Sequence, residues 1–520
     1  MNNRIYNISF DLHTVSGIVI SVLLYVIFFA GSFSFFRDEI VNWERNTPTN
    51  APTRLNINVD AALDSIGKKY SLYGRDIRFR RNSHERNVMV NLSDSKIKTD
   101  TVQGKLYYLD TETYQLSDYE TSYSLGEFLY RLHFFAQIPY PIGYYLSGFT
   151  SLFFLFAIVT GVIVHWEKII TNFYLFRPWA KLKTVWTDAH TVLGTIGLPF
   201  QVVYAITGAY FMIRIFLLIP TVLFMYHGDT EKIYHELGVE LPHYEFAAKA
   251  WNKPVNVNSI IDTTAARWKK FTVTQVEVFN YGDSNMHVAV SGELDKSIRF
   301  TGNGRLVYHV VDQKITDIKD PFTGTTYVEG VLNSLTRLHY ADYGGYALKI
   351  VSFLLALVTC FVIISGILIW LEARNKKAIP ESKRRFNERV GHLYLAMCLS
   401  MYPVTALAFI VTKLIPEDMS AQRQTILYEV YFGTWLLMTV LFTLRKSNTL
   451  TNRVSLMLGA VLGIIIPILT GLTSNTWFWT SLIHGQHDLL IVDVLWLSLS
   501  AMAIYALYKM SRPKVGGKSF

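Results

Sequence analysis

His190-Thr191-Val192-Leu193-Gly194 recurs, with one position changed, as His13-Thr14-Val15-Ser16-Gly17. Each stretch opens a long apolar run, and each run carries another glycine eighteen residues past its histidine, Gly208 and Gly31. Eighteen residues are about five whole turns of an α-helix and four are slightly more than one. His13, Gly17 and Gly31 therefore share one helix face, as do His190, Gly194 and Gly208. A histidine with side-chain-free positions on its own face suits a large flat cofactor held between helices.

The rest of the composition places those helices in a membrane. Of 520 residues, 51% are hydrophobic and only 17% charged, and apolar runs of at least about 18 residues read as membrane helices. The net charge of +9 gathers in short stretches beside these runs, which is a topology signal and argues against nucleic-acid binding. Cys360 and Cys398 lie in separate apolar runs, so neither a disulfide framework nor a cysteine metal site is expected. The first run, about residues 12–36, ends in Phe-Phe-Arg without a small-residue cleavage site and reads as an uncleaved span.

In order, the expected organisation is span 1 (1–36), an α+β domain (37–123), spans 2 and 3 (124–227), a second α+β domain (228–330), span 4 (331–372) and spans 5–8 (373–520). Pro48 and Pro52 mark a linker. A helix over Val59–Tyr70 precedes strands around Ile77–Arg80, Asn87–Leu92 and Gly104–Asp110. The second domain repeats that order: a helix at Phe246–Trp251 or Ser259–Lys269, then strands Thr272–Phe279, His287–Ser291 and Arg305–Val311. Pro199 and Pro220 are expected to kink or end span 3. Lys and Arg concentrate in loops 167–189, 371–390 and 445–453 and in the tail, which puts those segments in the cytoplasm and both domains outside.

Arg131-Leu132-His133-Phe134 likewise recurs as Arg337-Leu338-His339-Tyr340, and each following apolar run closes on a small-Gly pair, Thr160-Gly161 and Ser365-Gly366. The unit of span, outside domain, Arg-Leu-His turn and span is thus present twice, as a parallel repeat about an axis along the membrane normal. A pseudo-two-fold through the resulting four-helix core brings His13 towards His190 at one membrane face and His133 towards His339 at the other. A single histidine at a membrane boundary is more simply an interfacial anchor, but symmetric pairs beside small residues reverse that reading. Zinc would call for four ligands, usually with cysteine or carboxylate. Two imidazoles across a planar macrocycle are simpler, so two haem b groups are expected, one per pair.

His165 has Trp370 at its repeat-equivalent position and so no symmetric partner; it and His392, at the start of span 5, stand as alternates. His484 and His487 fall in a Trp-rich outer loop, and His84, His235, His243, His287 and His309 in the domains. Arg131 and Arg337 are read either as partners for haem propionates or as residues snorkelling to headgroups.

These motifs, together with the Asp-Ala-His-Thr-Val-Leu-Gly opening of span 3 and the Phe-Phe-Arg-Asp-Glu close of span 1, resemble the PepSY-associated transmembrane family over about residues 5–375. Together with the eight apolar spans, the resemblance implies a mainly α integral membrane protein of about eight transmembrane helices. The expected chain has a duplicated four-helix haem-binding core, two small extracytoplasmic PepSY-like α+β domains, and a place in the bacterial inner membrane with the domains periplasmic. The resemblance further implies a haem-dependent reductase in iron acquisition, with His13, His190, His133 and His339 as ligands. The expected activity is one-electron reduction of a ferric siderophore, which releases Fe(II), with quinol or a cytoplasmic reductase as donor. Outer tyrosines (Tyr140, Tyr144, Tyr145, Tyr340, Tyr343) are placed to receive the complex. Two rivals remain. One is a membrane-anchored peptidase inhibitor or sensor without redox activity. The other is an iron-siderophore transporter, for which Arg214 and Glu429 are the notable charges within the spans.

Overall fold

The computed structural model describes residues 2–46, 55, 57–81, 87–174, 176–229, 232 and 243–511. Helix α1 (Asn3–Ser34) is followed by a short α2 (Arg37–Glu44) and then α3 (Val59–Gly67). Strands β1 (Ile77–Arg81), β2 (Val88–Leu92), β3 (Lys105–Leu109) and β4 (Leu116–Asp118) lead to α4 (Leu125–Leu132) and α5 (Ile142–His165). After α6 (Ile169–Phe173) and the long α7 (Leu182–Met225) the pattern repeats. It runs through α8 (Val257–Arg267), β5 (Phe271–Phe279), β6 (His287–Leu294), β7 (Asn303–His309), β8 (Lys314–Lys319), α9 (Tyr327–Tyr340) and α10 (Gly345–Arg374). The chain closes with α11 (Glu381–Leu414), α12 (Arg423–Arg445), α13 (Asn448–Ser474), α14 (Phe478–Ile483) and α15 (His487–Ser511).

Among the described residues eight of these helices are long and apolar enough to cross a membrane: α1, α5, α7, α10, α11, α12, α13 and α15. The chain is a multi-pass membrane protein. Helices α1, α5, α7 and α10 form a closed ring of four, each packed on the next. Helix α11 packs on α12 and α13, and α13 on α15, while α11 also touches α1 and α10. Pro199 and Pro220 both sit inside α7, yet the only non-helical backbone there is at Ile213. That break lies just ahead of Phe216, whose carbonyl the Pro220 ring opposes. The basic stretch expected as loop 371–390 is mostly helical, because α10 runs on to Arg374 and α11 begins at Glu381, with a Glu381–Arg385 pair one turn apart.

The two sequence-read domains are not separate in their strands. All eight join one antiparallel sheet of order β4-β3-β2-β1-β5-β6-β7-β8. The copies meet through their first strands, with Ile77 opposite Val278 and Phe79 opposite Val276, so the pseudo-two-fold passes between β1 and β5. Pairing removes one exposed edge from each copy. The inward residues Ile77, Phe79, Val88, Val90, Val276, Val278, Val288 and Val290 are all buried under α3 and α8. Those helices cap each other reciprocally. Asp60 accepts from the Val257 and Asn258 amides at 2.9 and 3.0 Å, and Asn258 accepts from the Val59 amide at 2.9 Å. Strands β4 and β8 escaped the sequence reading because they are short or mostly exposed, with no apolar alternation to betray them. Of the two helix placements in the second copy, Ser259–Lys269 matches α8, while 246–251 is irregular, with Ala248 at positive φ. Pro48, Pro52, His84 and His235 lie outside the described residues.

Candidate functional site: two histidine pairs in the four-helix ring

His13 on α1 and His190 on α7 face one another with ring centres 6.2 Å apart and planes inclined by 75°. At the sheet-bearing end of the ring His133, just after α4, and His339 on α9 stand 6.0 Å apart at 46°. All four are half-buried. Fourteen residues of α1 separate His13 from Ile27, which touches His133, so the two pairs lie about 21 Å apart along the bundle by helical rise.

Each imidazole is held by its Nδ1. His13 Nδ1 meets the Ala157 carbonyl at 2.7 Å and His133 Nδ1 the Ile27 carbonyl at 2.8 Å. His190 Nδ1 has two neighbours, the Val362 carbonyl at 3.0 Å and Ser365 Oγ at 3.1 Å. His339 Nδ1 lies 2.7 Å from Thr207 Oγ1. A carbonyl can only accept. The Ser365 hydroxyl already donates to Val362 and the Thr207 hydroxyl to Val203, so both oxygens accept here too. The Nδ1 atoms of His13, His133 and His190, each facing a carbonyl, therefore carry the proton and leave Nε2 with its lone pair, and the Thr207 hydroxyl, while it donates to Val203, sets His339 the same way. Among the described residues no Nε2 of the four has a hydrogen-bond partner. This is the second-sphere arrangement that fixes the tautomer of a ligating histidine.

Glycines let the rings come this close, but not the ones on the histidines' own helices. A Cβ on Gly31 would stand 2.6 Å from His133 Nδ1, one on Gly161 2.9 Å from His13 Cε1, and one on Gly366 3.3 Å from His190 Cε1. Gly17 and Gly194, one turn past His13 and His190, have a different setting. A Cβ would meet nothing within 4 Å at Gly17 and only Val362, at 3.9 Å, at Gly194. They open onto space beside the pair.

The anchoring groups Ala157, Ile27, Val362, Ser365 and Thr207 were missed by the sequence reading. Their signal was present in part: Ser365-Gly366 and Thr207-Gly208 set a hydroxyl beside a glycine on the helix opposite a histidine. Arg131 and Arg337 have protein partners. Arg337 pairs with Glu293 and Asp342; Arg131 donates to Tyr119 at 3.1 Å, with Glu127 at 3.8 Å. The alternates stay out of both pairs. His165 ends α5 one turn beyond Gly161, and His392 Nδ1 bonds Asn448 Oδ1 at 2.6 Å on the far side of α10. His484 is bound to its own helix at the Thr480 carbonyl. His287 stacks on Tyr244 and neighbours His309 in the sheet. No group of three or more His, Cys, Asp or Glu side chains able to hold a metal ion occurs among the described residues.

The duplicated ring, its paired histidines and the strands between them coincide with a family match. The model of the PepSY-associated TM region covers residues 10–373. The chain belongs to this family. The match ends at the last turn of α10, so α11–α15 lie beyond it. No curated protein matches the chain.

Proposed function

We propose that this PepSY-associated membrane protein is a two-haem b reductase of the inner membrane, passing electrons outward to iron held by a ferric siderophore. The observation that carries the reading is the matched geometry of the two pairs. An imidazole nitrogen binds a first-row metal at about 2 Å and lies roughly 1.1 Å from its ring centre, so two imidazoles that held one metal between them would centre their rings about 6.2 Å apart. The observed spacings are 6.2 and 6.0 Å. The open faces at Gly17 and Gly194 supply room for a macrocycle beside the inner pair.

Each bound haem supplies a one-electron Fe(III)/Fe(II) couple, so two of them spaced across the bundle link its two faces. The chain's own part is positioning and insulation. The anchored Nδ1–H groups hold each ring in place and raise the basicity of Nε2. Tyr204 lies 5.0 Å from the His339 ring, Phe200 4.2 Å from Tyr204, and Phe28 next to Phe200 and Phe154. These rings close the bundle between the pairs to water. At the sheet end Tyr130, Phe134, Tyr144 and Tyr140 form a contiguous aromatic cluster, with Phe134 buried and Tyr140 76% exposed at its surface. That surface suits a flat, oxygen-rich iron chelate. Oxygen chelators hold Fe(II) far less tightly than Fe(III), so one electron releases the metal.

The clustering of Lys and Arg in the loops at the other end of the spans supports a periplasmic position for the sheet. The test is an absorption spectrum of the purified protein with pyridine haemochrome quantitation. Two haem b per chain are expected, falling to none when His13, His190, His133 and His339 are all alanine. A colourless protein, or one whose spectrum survives that change, sinks the proposal and leaves the inhibitor or transporter readings.

A further inference from the structure

A cavity of about 210 Å³ opens at the end of the bundle opposite the sheet, at the seam where the four C-terminal spans dock onto the family core. The core contributes Trp186 of α7 and the last turns of α10, while α11 and α13 contribute Arg384, His392 and Asn448. Trp186 stands one helical turn, about 6 Å, before His190. Leu368, another wall residue, is two positions past Gly366, whose backbone packs against the His190 ring. The cavity therefore lies at the same end of α7 and α10 as the inner histidine pair, about one helical turn from His190 along α7.

We propose that this cavity binds the ring of a para-quinol and is where the electrons enter. The inference rests on the two-haem reading for their destination, but not for the binding itself. Asn448 Oδ1 can only accept, so His392 Nδ1 donates to it and Nε2 is the ring nitrogen left to accept. Arg384 Nε is the opposite: a buried donor without a partner among the described residues. A base and a donor on one small cavity match the two oxygens of a quinol ring. Charge and size exclude the main rival donor. Arg374 and Arg384 are balanced by Glu372 and Glu388 on the same walls, which leaves no excess for a polyanionic dinucleotide. The volume also falls below the roughly 300–1,000 Å³ usual for complete ligands, so it takes one ring whose tail stays in lipid. Trp186, Trp370 and Arg374 mark the interfacial depth at which such a headgroup lies, with Arg374 over the Trp370 ring at 4.6 Å.

The step balances as quinol to quinone plus two protons and two electrons. Both O–H bonds break and both C–O bonds become C=O. One proton goes to His392 Nε2, the other to the carboxylate of Glu388 or Glu372. The electrons leave one at a time towards the His13–His190 pair, where a bound ferric haem would accept each in turn.

Calorimetric titration of the detergent-purified full chain with decylubiquinone should show one site, weakened at least tenfold by His392→Ala and by Arg384→Ala. In stopped-flow absorbance, decylubiquinol should reduce the wild-type haem, and at least tenfold more slowly the haem of His392→Gln, which keeps the side chain's bulk without its base. Dithionite should reduce both fully, showing an intact fold. Equal binding by wild type and both alanine variants overturns the proposal, as does direct reduction by NADH without quinol. Haem at full occupancy with no quinone binding overturns it while sparing the two-haem reading. Quinone binding lost with His392→Ala in a protein that holds no haem does the reverse.

Discussion

The distances from glycine to imidazole set up a graded test at single residues. A methyl group on Gly31 would intrude to 2.6 Å of His133, on Gly161 to 2.9 Å of His13, and on Gly366 to 3.3 Å of His190. The first two are closer than packed side chains tolerate, and displacing a ligating ring costs its metal bond. Gly31→Ala should halve the haem per chain by emptying the outer pair, Gly161→Ala should weaken the inner one, and Gly366→Ala should do least. Haem content read by pyridine haemochrome must follow that order for the geometry to stand. The anchors give a second contrast. Thr207→Val takes away the single acceptor of His339 Nδ1, and loss of such a partner typically weakens metal affinity about 10–100-fold. Ser365→Ala should cost much less, because His190 keeps the Val362 carbonyl.

Among elements, α2 is the one whose position is least expected from its composition. Its residues Glu39, Asn42, Trp43 and Glu44 are all buried, and the helix packs on α4 and α15. Each polar group has a partner from a distant part of the chain. Lys349 meets Glu39 at 2.5 Å, Arg423 pairs with Glu44, and Asp488 accepts from Asn42 at 2.9 Å. Trp43 Nε1 donates to Thr470 at 2.9 Å. The contacts to Arg423, Thr470 and Asp488 fasten the C-terminal spans to the core, while Lys349 ties α2 to α10. Removing one member of a buried pair costs about 3–5 kcal/mol, because the other charge is stranded. Lys349→Met should lower the melting temperature sharply, and the double change with Glu39→Gln should recover most of the loss. Burial pushes the Glu39 carboxyl up to about 7 from an ordinary 4.5, outweighing the attraction of Lys349. A raised pKa means that the folded chain holds the proton longer than the unfolded one. Its stabilising contribution is present below about 4.5 and is lost as pH rises through about 7. Thermal melts across that window should slope downward, and Glu39→Gln should flatten them.

For the whole molecule the decisive prediction concerns orientation. A cysteine placed at Asp312, in the turn between β7 and β8, should react with a membrane-impermeant maleimide in cells with a permeabilised outer envelope. One placed at Lys376, between α10 and α11, should react only after the inner membrane is opened. Both native cysteines are buried, so the background should be low. Labelling at Lys376 from outside would reverse the direction assigned to the electron path. The fused sheet also ties the two halves of the repeat together above the histidine pairs, so the pseudo-two-fold that relates the histidines also relates β1 to β5.

The amino-acid sequence by itself determined the spans, the duplication and the four histidines, because apolar length and motif recurrence are properties of neighbouring residues. His13 could be matched to His190, and His133 to His339, from the repeat alone. It also misdirected in places. Gly31 looks like part of the His13 face and in fact makes room for His133, because a helical glycine serves whatever crosses it from another helix. Arg131 and Arg337, read as propionate partners or headgroup anchors, also have partners within the protein, which the sequence did not show. Only the tertiary structure decided which carbonyl or hydroxyl holds each Nδ1, that two domains share one sheet, and that a cavity lies at the seam of α7, α10, α11 and α13. Each of those depends on hydrogen bonds and contacts between residues far apart in the chain, and no local periodicity encodes them.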